Sequence, residues 1–226
     1  MLQHILFIHT FAQHLFTNMI NMETKKLFSE RRSINFFDKT REIDDQYLKK
    51  IINLAVLAPS AFNLQPWRIV VTKSQESKQK LFDLSNKQDK VLDASVNLIL
   101  IGNKEGYSDA NPVWKEMLQS VGGNQEMVND AKQAASFLYG SSEERKLKFA
   151  ESNTGLLAMA IMFAAKEFSV DTHPMSGIDF EEIHKEFGLH DDEVVVMTIA
   201  MGYFDTKQSL YPRRPRLEFD DIAKIV

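Results

Sequence analysis

The chain has 226 residues, of which 44% are hydrophobic and 26% charged, with a formal net charge of -4 and no cysteine. That length and balance fit one globular domain with a substantial core, and the slight acidity argues against a general attraction to nucleic acid. Without cysteine there are no disulfides, thiolate catalysis, Cys-ligated zinc or iron–sulfur clusters, and a reducing cytoplasm fits.

No acidic or basic side chain stands between Met1 and Met22, a stretch rich in Leu, Ile and Phe. It lacks the positive start and small-residue cleavage site of a secretory signal. Gln3, His4, His9, Thr10, Gln13, His14, Thr17 and Asn18 interrupt it too often for a membrane span. Residues 1–25 therefore read as an extension. Either the start lies upstream of a body beginning near Met22, or the segment is an amphipathic arm; a membrane anchor is a third reading. His4, His9 and His14 recur every five residues, which does not place three metal ligands on one helix face.

Residues 26–226 read as a single domain. From Ile43 to Ala58 the spacing of Leu48, Ile51, Ile52 and Ala55 predicts a helix, capped by Asp44 or Asp45 and ended at Pro59. Arg68 to Thr72 and Val96 to Ile101 read as strands, the second ended by Gly102. Asn111 to Phe149 reads as helical with a break at Gly122-Gly123. Thr154 to Phe168 is apolar nearly all round, as in a helix buried in a core or a subunit interface. A capping-box pattern at Asp179 and Glu182 opens a short helix that places Phe180, Ile183 and Phe187 on one side and stops at Gly188. Val194 to Phe204 is strongly β-type. Few strands among longer helices point to an α+β fold with a small, mostly antiparallel sheet flanked by helices.

Four polar clusters interrupt this pattern. Arg31-Arg32-Ser33 can hold a phosphate through charge-assisted hydrogen bonds, or lie solvated on the surface. Ala58-Pro-Ser-Ala-Phe-Asn-Leu-Gln-Pro-Trp67 places Ser60, Asn63 and Gln65 on a proline-bracketed loop. Its amides suit the edges of a flavin or purine ring, although a capped helix-to-strand turn reads the same way. His173-Pro-Met-Ser-Gly-Ile-Asp179 is either a tight turn or a segment whose backbone N–H groups meet a ring acceptor. Arg213-Arg214-Pro-Arg216 either completes a phosphate site with the first cluster or forms a basic tail. No G-x-G-x-x-G is present, so nothing points to a separate dinucleotide-binding domain.

These strings, in this order, resemble the nitroreductase family, with the helix ESNTGLLAMAIMFAAKEF similar to its central dimerisation helix. The resemblance runs from about Phe28 to the C-terminus and is nearest the small bacterial NAD(P)H nitroreductase or quinone reductase type. It implies an intertwined homodimer that binds FMN, takes hydride from NAD(P)H at flavin N5 and passes it to a nitroaromatic, quinone or similar acceptor in a ping-pong cycle. It also implies roles for individual residues. Arg31, Arg32, Ser33, Arg214 and Arg216 would hold the FMN phosphate and ribityl chain, and Asn35 falls where relatives often have Lys. Pro59, Ser60 and Asn63 would reach the flavin of the partner subunit. Pro174, Met175, Ser176 and Gly177 would line the ring, Ser176 replacing a frequent Glu. Lys87 and Gln88 match a pair at the ring, with Asn86 one position early. No side chain is implied as catalytic acid, base or nucleophile, and no metal is expected. Trp114, Phe137 and Tyr139 either select substrates or pack the core. His184 reads as a surface or packing residue and His173 as structural. Rival readings are another flavin reaction of the family, such as enone reduction or dehalogenation, a non-catalytic flavin sensor, or a basic-patch interaction domain with scattered arginines.

Overall fold

A computed structural model describes residues 24–226. The reading of residues 1–25 as an extension, and that of His4, His9 and His14, fall outside the described residues except for Thr24 and Lys25, which open the first described helix.

In chain order the elements are α1 (Thr24–Glu30), α2 (Asp45–Ala55), a 3-10 turn (Ala61–Asn63), β1 (Trp67–Thr72), α3 (Gln75–Asp83), α4 (Lys90–Asp93), β2 (Val96–Asn103), α5 (Val113–Ser120), α6 (Gln125–Tyr139), α7 (Glu143–Glu167), β3 (Asp171–Met175), α8 (Phe180–Glu186), β4 (Glu193–Gly202) and α9 (Phe219–Ile222). The strands form one sheet in the order β1-β2-β4-β3, every pairing antiparallel. Between β2 and β4 the register slips: Leu100 faces Met197 while Ile101 faces Val195, so Val196 is the extra residue of a bulge.

Helices cover both faces. Leu98 and Leu100 of β2 turn toward a core shared with Ile51 and Ala55 of α2 and Leu157 and Ile161 of α7. Ile99 and Ile101 turn the other way, onto Leu81 of α3, Val91 of α4 and Ile183 of α8. An unbroken apolar strand is what burial on both faces requires, since alternate side chains enter opposite layers. Gly102 does not end β2. A Cβ there would sit 2.9 Å from the Ala150 carbonyl oxygen, so this glycine lets α7 press against the strand.

Sequence and structure part company at three elements. The expected helix from Asn111 to Phe149 breaks at Gly122-Gly123, as read, but also at Gly140, where Ser142 caps a new helix by accepting from Arg145 N–H. That helix, α7, runs 25 residues, so the apolar segment from Thr154 is only its second half. The first half is amphipathic, with Phe149 and Ala150 buried and charged residues outside, which is why its continuity is hard to read from apolarity. His173 to Met175, the start of the segment read as either a tight turn or a ring-binding stretch, belongs to a strand, Asp171–Met175. Its proline is tolerated because β3 is an edge strand: Thr172 directs its carbonyl away from β4 toward Ile34, and two residues on Pro174 faces the same outer side, where no sheet partner waits for its N–H. Elsewhere the signals hold locally. Asp44 caps α2 by accepting from Gln46 N–H, and Asp179 caps α8 by accepting from Glu182 N–H. Gly188 ends α8 at a φ of +60°.

Among the described residues, no helix is long and apolar enough to cross a membrane, and no group of three or more His, Asp or Glu side chains could hold a metal ion.

Candidate functional site

The strip from Arg31 to Phe37 runs beside β3. Ile34 and Phe37 are buried, which anchors the strip and leaves Arg31, Arg32, Ser33 and Asn35 on its outer side. Ser33 makes a parallel bridge to Thr172, and Ile34 N–H donates to the Thr172 carbonyl at 3.0 Å.

The C-terminal tail closes over this strip. Arg32 Nη2 donates to the Tyr211 carbonyl at 2.6 Å, and Arg213 Nη2 donates to the carbonyls of Ser29 and Arg31, the latter at 3.2 Å. The result is a cleft of about 300 Å³ lined by Arg31, Arg32, Ser33, Asn35, Tyr211, Pro212, Arg213, Arg214 and Arg216. Two arginine clusters thus meet, with Arg213 hydrogen-bonded to Arg31 182 positions away, which discounts the reading of scattered surface charges. Arg213, read from the sequence only as part of the basic cluster, ties the tail down together with Arg32.

The cleft is electrostatically incomplete. Burial pulls the Arg31 guanidinium below its ordinary pKa, and the positive charges of Arg213, Arg216 and Arg32 add to the shift. Arg31 Nη1 is buried and, among the described residues, has no hydrogen-bond partner. A buried unmatched donor among like charges costs free energy that an anionic, multi-acceptor group would recover. A phosphate monoester fits these donors.

β3 leads from this strip to a second cluster. Asn86 Nδ2 and Gln88 Nε2 both donate to the Gly177 carbonyl, at 2.9 and 3.0 Å. Asn86 and Lys87 both have positive φ, +49° and +52°, and this tight turn brings the side chains on either side of Lys87 to Gly177. Lys87 is exposed and, among the described residues, its side chain makes no hydrogen bond, so the side chains that engage the loop are Asn86 with Gln88 rather than Lys87 with Gln88. Lys90, overlooked in the sequence, donates to Gln88 Oε1 at 3.2 Å, and burial holds its ammonium below the ordinary value. Its place at the start of the Lys90–Asp93 turn was the only sequence signal. Met175 is 4% exposed and packs in the core with Ile34, Ile178 and Ile183, whereas Ser176 and Gly177 are exposed.

The loop carrying Pro59, Ser60 and Asn63 stands apart, and no hydrogen bond of the described residues joins it to these clusters. Phe62, Asn63 and Gln65 all adopt left-handed backbone, with φ of 51°, 57° and 47°. Three contacts hold it. Buried Asn153 of α7 accepts from Ala61 N–H at 2.8 Å, Ser60 Oγ accepts from Gln65 N–H at 3.0 Å, and Asn111 Nδ2 donates to the Leu64 carbonyl at 2.8 Å. Of the three aromatics weighed for substrate selection, Trp114 is buried and donates to the Ser108 carbonyl, and Tyr139 stacks on Phe149 with ring centroids 4.5 Å apart. Phe137 is 79% exposed and free to meet another molecule.

Comparison with known proteins gives a consistent pattern. The sequence model of the Nitroreductase family matches residues 28–203. A Bacillus subtilis protein named "Putative NAD(P)H nitroreductase MhqN" is 36% identical over 196 residues, covering 86% of this chain and 93% of that protein. The CLA biosynthesis enone reductase of Lactiplantibacillus plantarum is 29% identical, over 82% of this chain and 87% of that one. A crystal structure of an Exiguobacterium sibiricum nitroreductase-type protein in complex with FMN superposes with a TM-score of 0.78 at 27% identity, covering 89% of this chain and 96% of that one.

Proposed function

The chain belongs to the Nitroreductase family, and from that premise we propose that it is an FMN-dependent oxidoreductase using NAD(P)H as reductant. The observation that carries the reading is the arginine cleft with its unmatched Arg31 Nη1, joined through β3 to the Ser176–Gly177 loop. Bound FMN would supply the redox chemistry, taking hydride from NAD(P)H and passing it to a nitroaromatic, quinone or similar small acceptor in a ping-pong cycle.

The residues of this chain bind and orient. Arg31, Arg32, Arg214 and Arg216, with Ser33 and Asn35, hold the phosphate end, while Pro174, Ser176 and Gly177 meet the ring through backbone and Lys90 places positive charge nearby. Asn86 and Gln88 fix the loop by engaging its carbonyl. Pro59, Ser60 and Asn63 face the flavin of a second subunit, which makes the working form a homodimer. Two features support that assembly: the loop is held by hydrogen bonds yet, among the described residues, has no hydrogen bond to its own chain's clusters, and the tail exposes Leu217, Phe219, Ile222 and Ile225 by 60% or more. The absence of cysteine fits work in a reducing cytoplasm. Similarity to an enone reductase supports an electron-poor alkene as a second acceptor class.

A visible spectrum of the purified protein, followed by stopped-flow reduction with NADH and NADPH, tests this reading. Yellow protein that consumes NAD(P)H only when a nitroaromatic, quinone or enone is added is expected. Protein that takes up no FMN would overturn the assignment, and yellow protein inert to both nicotinamides would make it a flavin sensor.

A further inference from the structure

His173 has no part in the roles above, yet it sits where the two halves of the site meet. Thr172 accepts through its carbonyl from Ile34 N–H at 3.0 Å, and the next residue places its imidazole Nδ1 at 2.9 Å from the Ile34 carbonyl. A carbonyl has no proton to give, so Nδ1 carries one and donates. Consecutive residues of β3 therefore grip both backbone groups of one residue. Ile34 is 2% exposed and lies between Ser33 and Asn35, next to Arg31 and Arg32. Three residues beyond His173 the chain reaches Ser176, then Gly177. Among the described residues, the imidazole makes the only side-chain hydrogen bond between the strip that carries the arginines and the segment 171–177. Without it the strip keeps its backbone pairing to β3 at Ser33 and Ile34 N–H and its ties at Phe36 and Phe37 to Asp205 and Phe204, but the Ile34 carbonyl loses the contact that holds it to β3.

We propose that His173 is a positioning residue that fixes the spacing between the arginine cleft and the Ser176–Gly177 loop, so that one ligand with a phosphate at one end and a ring at the other spans both. The inference rests on the FMN reading. It predicts that His173 matters to a ligand in proportion to whether that ligand bridges the two halves. FMN does, and riboflavin, which lacks the phosphate, does not.

The test titrates full-length protein, freed of flavin, with FMN and with riboflavin by flavin fluorescence. His173→Val removes the donor. His173→Gln keeps polarity but moves its amide one bond further out, and His173→Asn places an amide nitrogen near the position of Nδ1. In the wild type FMN binds more tightly than riboflavin. That preference is expected to shrink about tenfold in His173→Val and His173→Gln, the effect of one lost hydrogen bond to a buried carbonyl, and to stay within about twofold in His173→Asn. Equal loss of both flavins in the Val and Gln variants would make His173 a merely structural cap and overturn the proposal. So would an Asn variant that falls as far as the other two. A wild type that binds neither flavin would instead overturn the FMN reading itself, and the proposal with it.

Discussion

The loop from Pro59 to Pro66 and the arginine cleft are both polar, and they are finished in different degrees. In the loop, backbone strain is matched by hydrogen bonds from inside the chain: Asn153, Ser60 and Asn111 serve Ala61, Gln65 and Leu64. In the cleft, the backbone is ordinary and the side chains are left wanting, with Arg31 Nη1 unmatched among the described residues and beside three further guanidinium groups. A segment that is strained but satisfied is held ready for something outside its own chain. A segment that is relaxed but unsatisfied calls for a ligand within it.

Arg31→Ala tests the second half of that contrast most directly. It removes a charged donor from the lining of the cleft, so FMN affinity is expected to fall about a hundredfold, roughly 2.7 kcal/mol, in fluorescence titration. The ligand-free protein should be no less stable, because a self-repelling buried charge has gone. A ligand-free protein that melts well below the wild type would show that Arg31 serves the fold instead.

Asn153→Ala tests the first half. The Ala61 N–H and the Phe149 carbonyl each lose a partner, and a stability loss of about 2 kcal/mol is expected in urea denaturation. Riboflavin and FMN should lose affinity together, since the loop does not touch the arginines. A loss confined to FMN would break the separation of the two regions.

A smaller effect is expected at Asn63, whose φ of +57° an amide side chain tolerates better than most. Asn63→Ala should cost about 1 kcal/mol and Asn63→Gly close to nothing in the same denaturation series. Equal costs for both would mean that the Asn63 side chain, not its backbone, matters to the loop.

The mildest expected signal is in pH. Burial, with the Lys90 ammonium nearby, pulls the His173 pKa down from 6.5 to about 4, opposed by its bond to Ile34. The unfolded chain therefore binds the extra proton first, and stability should rise with pH between about 4 and 6.5. Stability curves for the wild type and His173→Asn should differ in slope across that window and run parallel above it. Parallel curves throughout would remove His173 from the account of acid sensitivity.

How far the sequence reached follows the range of the interaction involved. Helix caps at Asp44 and Asp179, the stop at Gly188 and the doubly buried strand β2 were legible because the signal and its cause lie within a few residues of each other. The clusters were legible as strings, and their order resembled a family, but their meanings were not. Whether Arg31 and Arg214 lie together depends on a tail that crosses the molecule. Which of Asn86, Lys87 and Gln88 faces Gly177 depends on two left-handed residues that carry no glycine to announce them.

The sequence by itself determined the α+β class, the family and the residue types available to a phosphate-bearing ring. Only the tertiary structure decided which of them converge. It turned Met175 into the core and made a strand of Asp171 to Met175 despite Pro174, because an edge position excuses the missing N–H. It brought in Arg213 and Lys90, and it placed His173 against Ile34. Local pattern sets the conformation of each segment, whereas a site is made by contacts between segments far apart in the chain, which close only when the sheet and its two helical layers are packed.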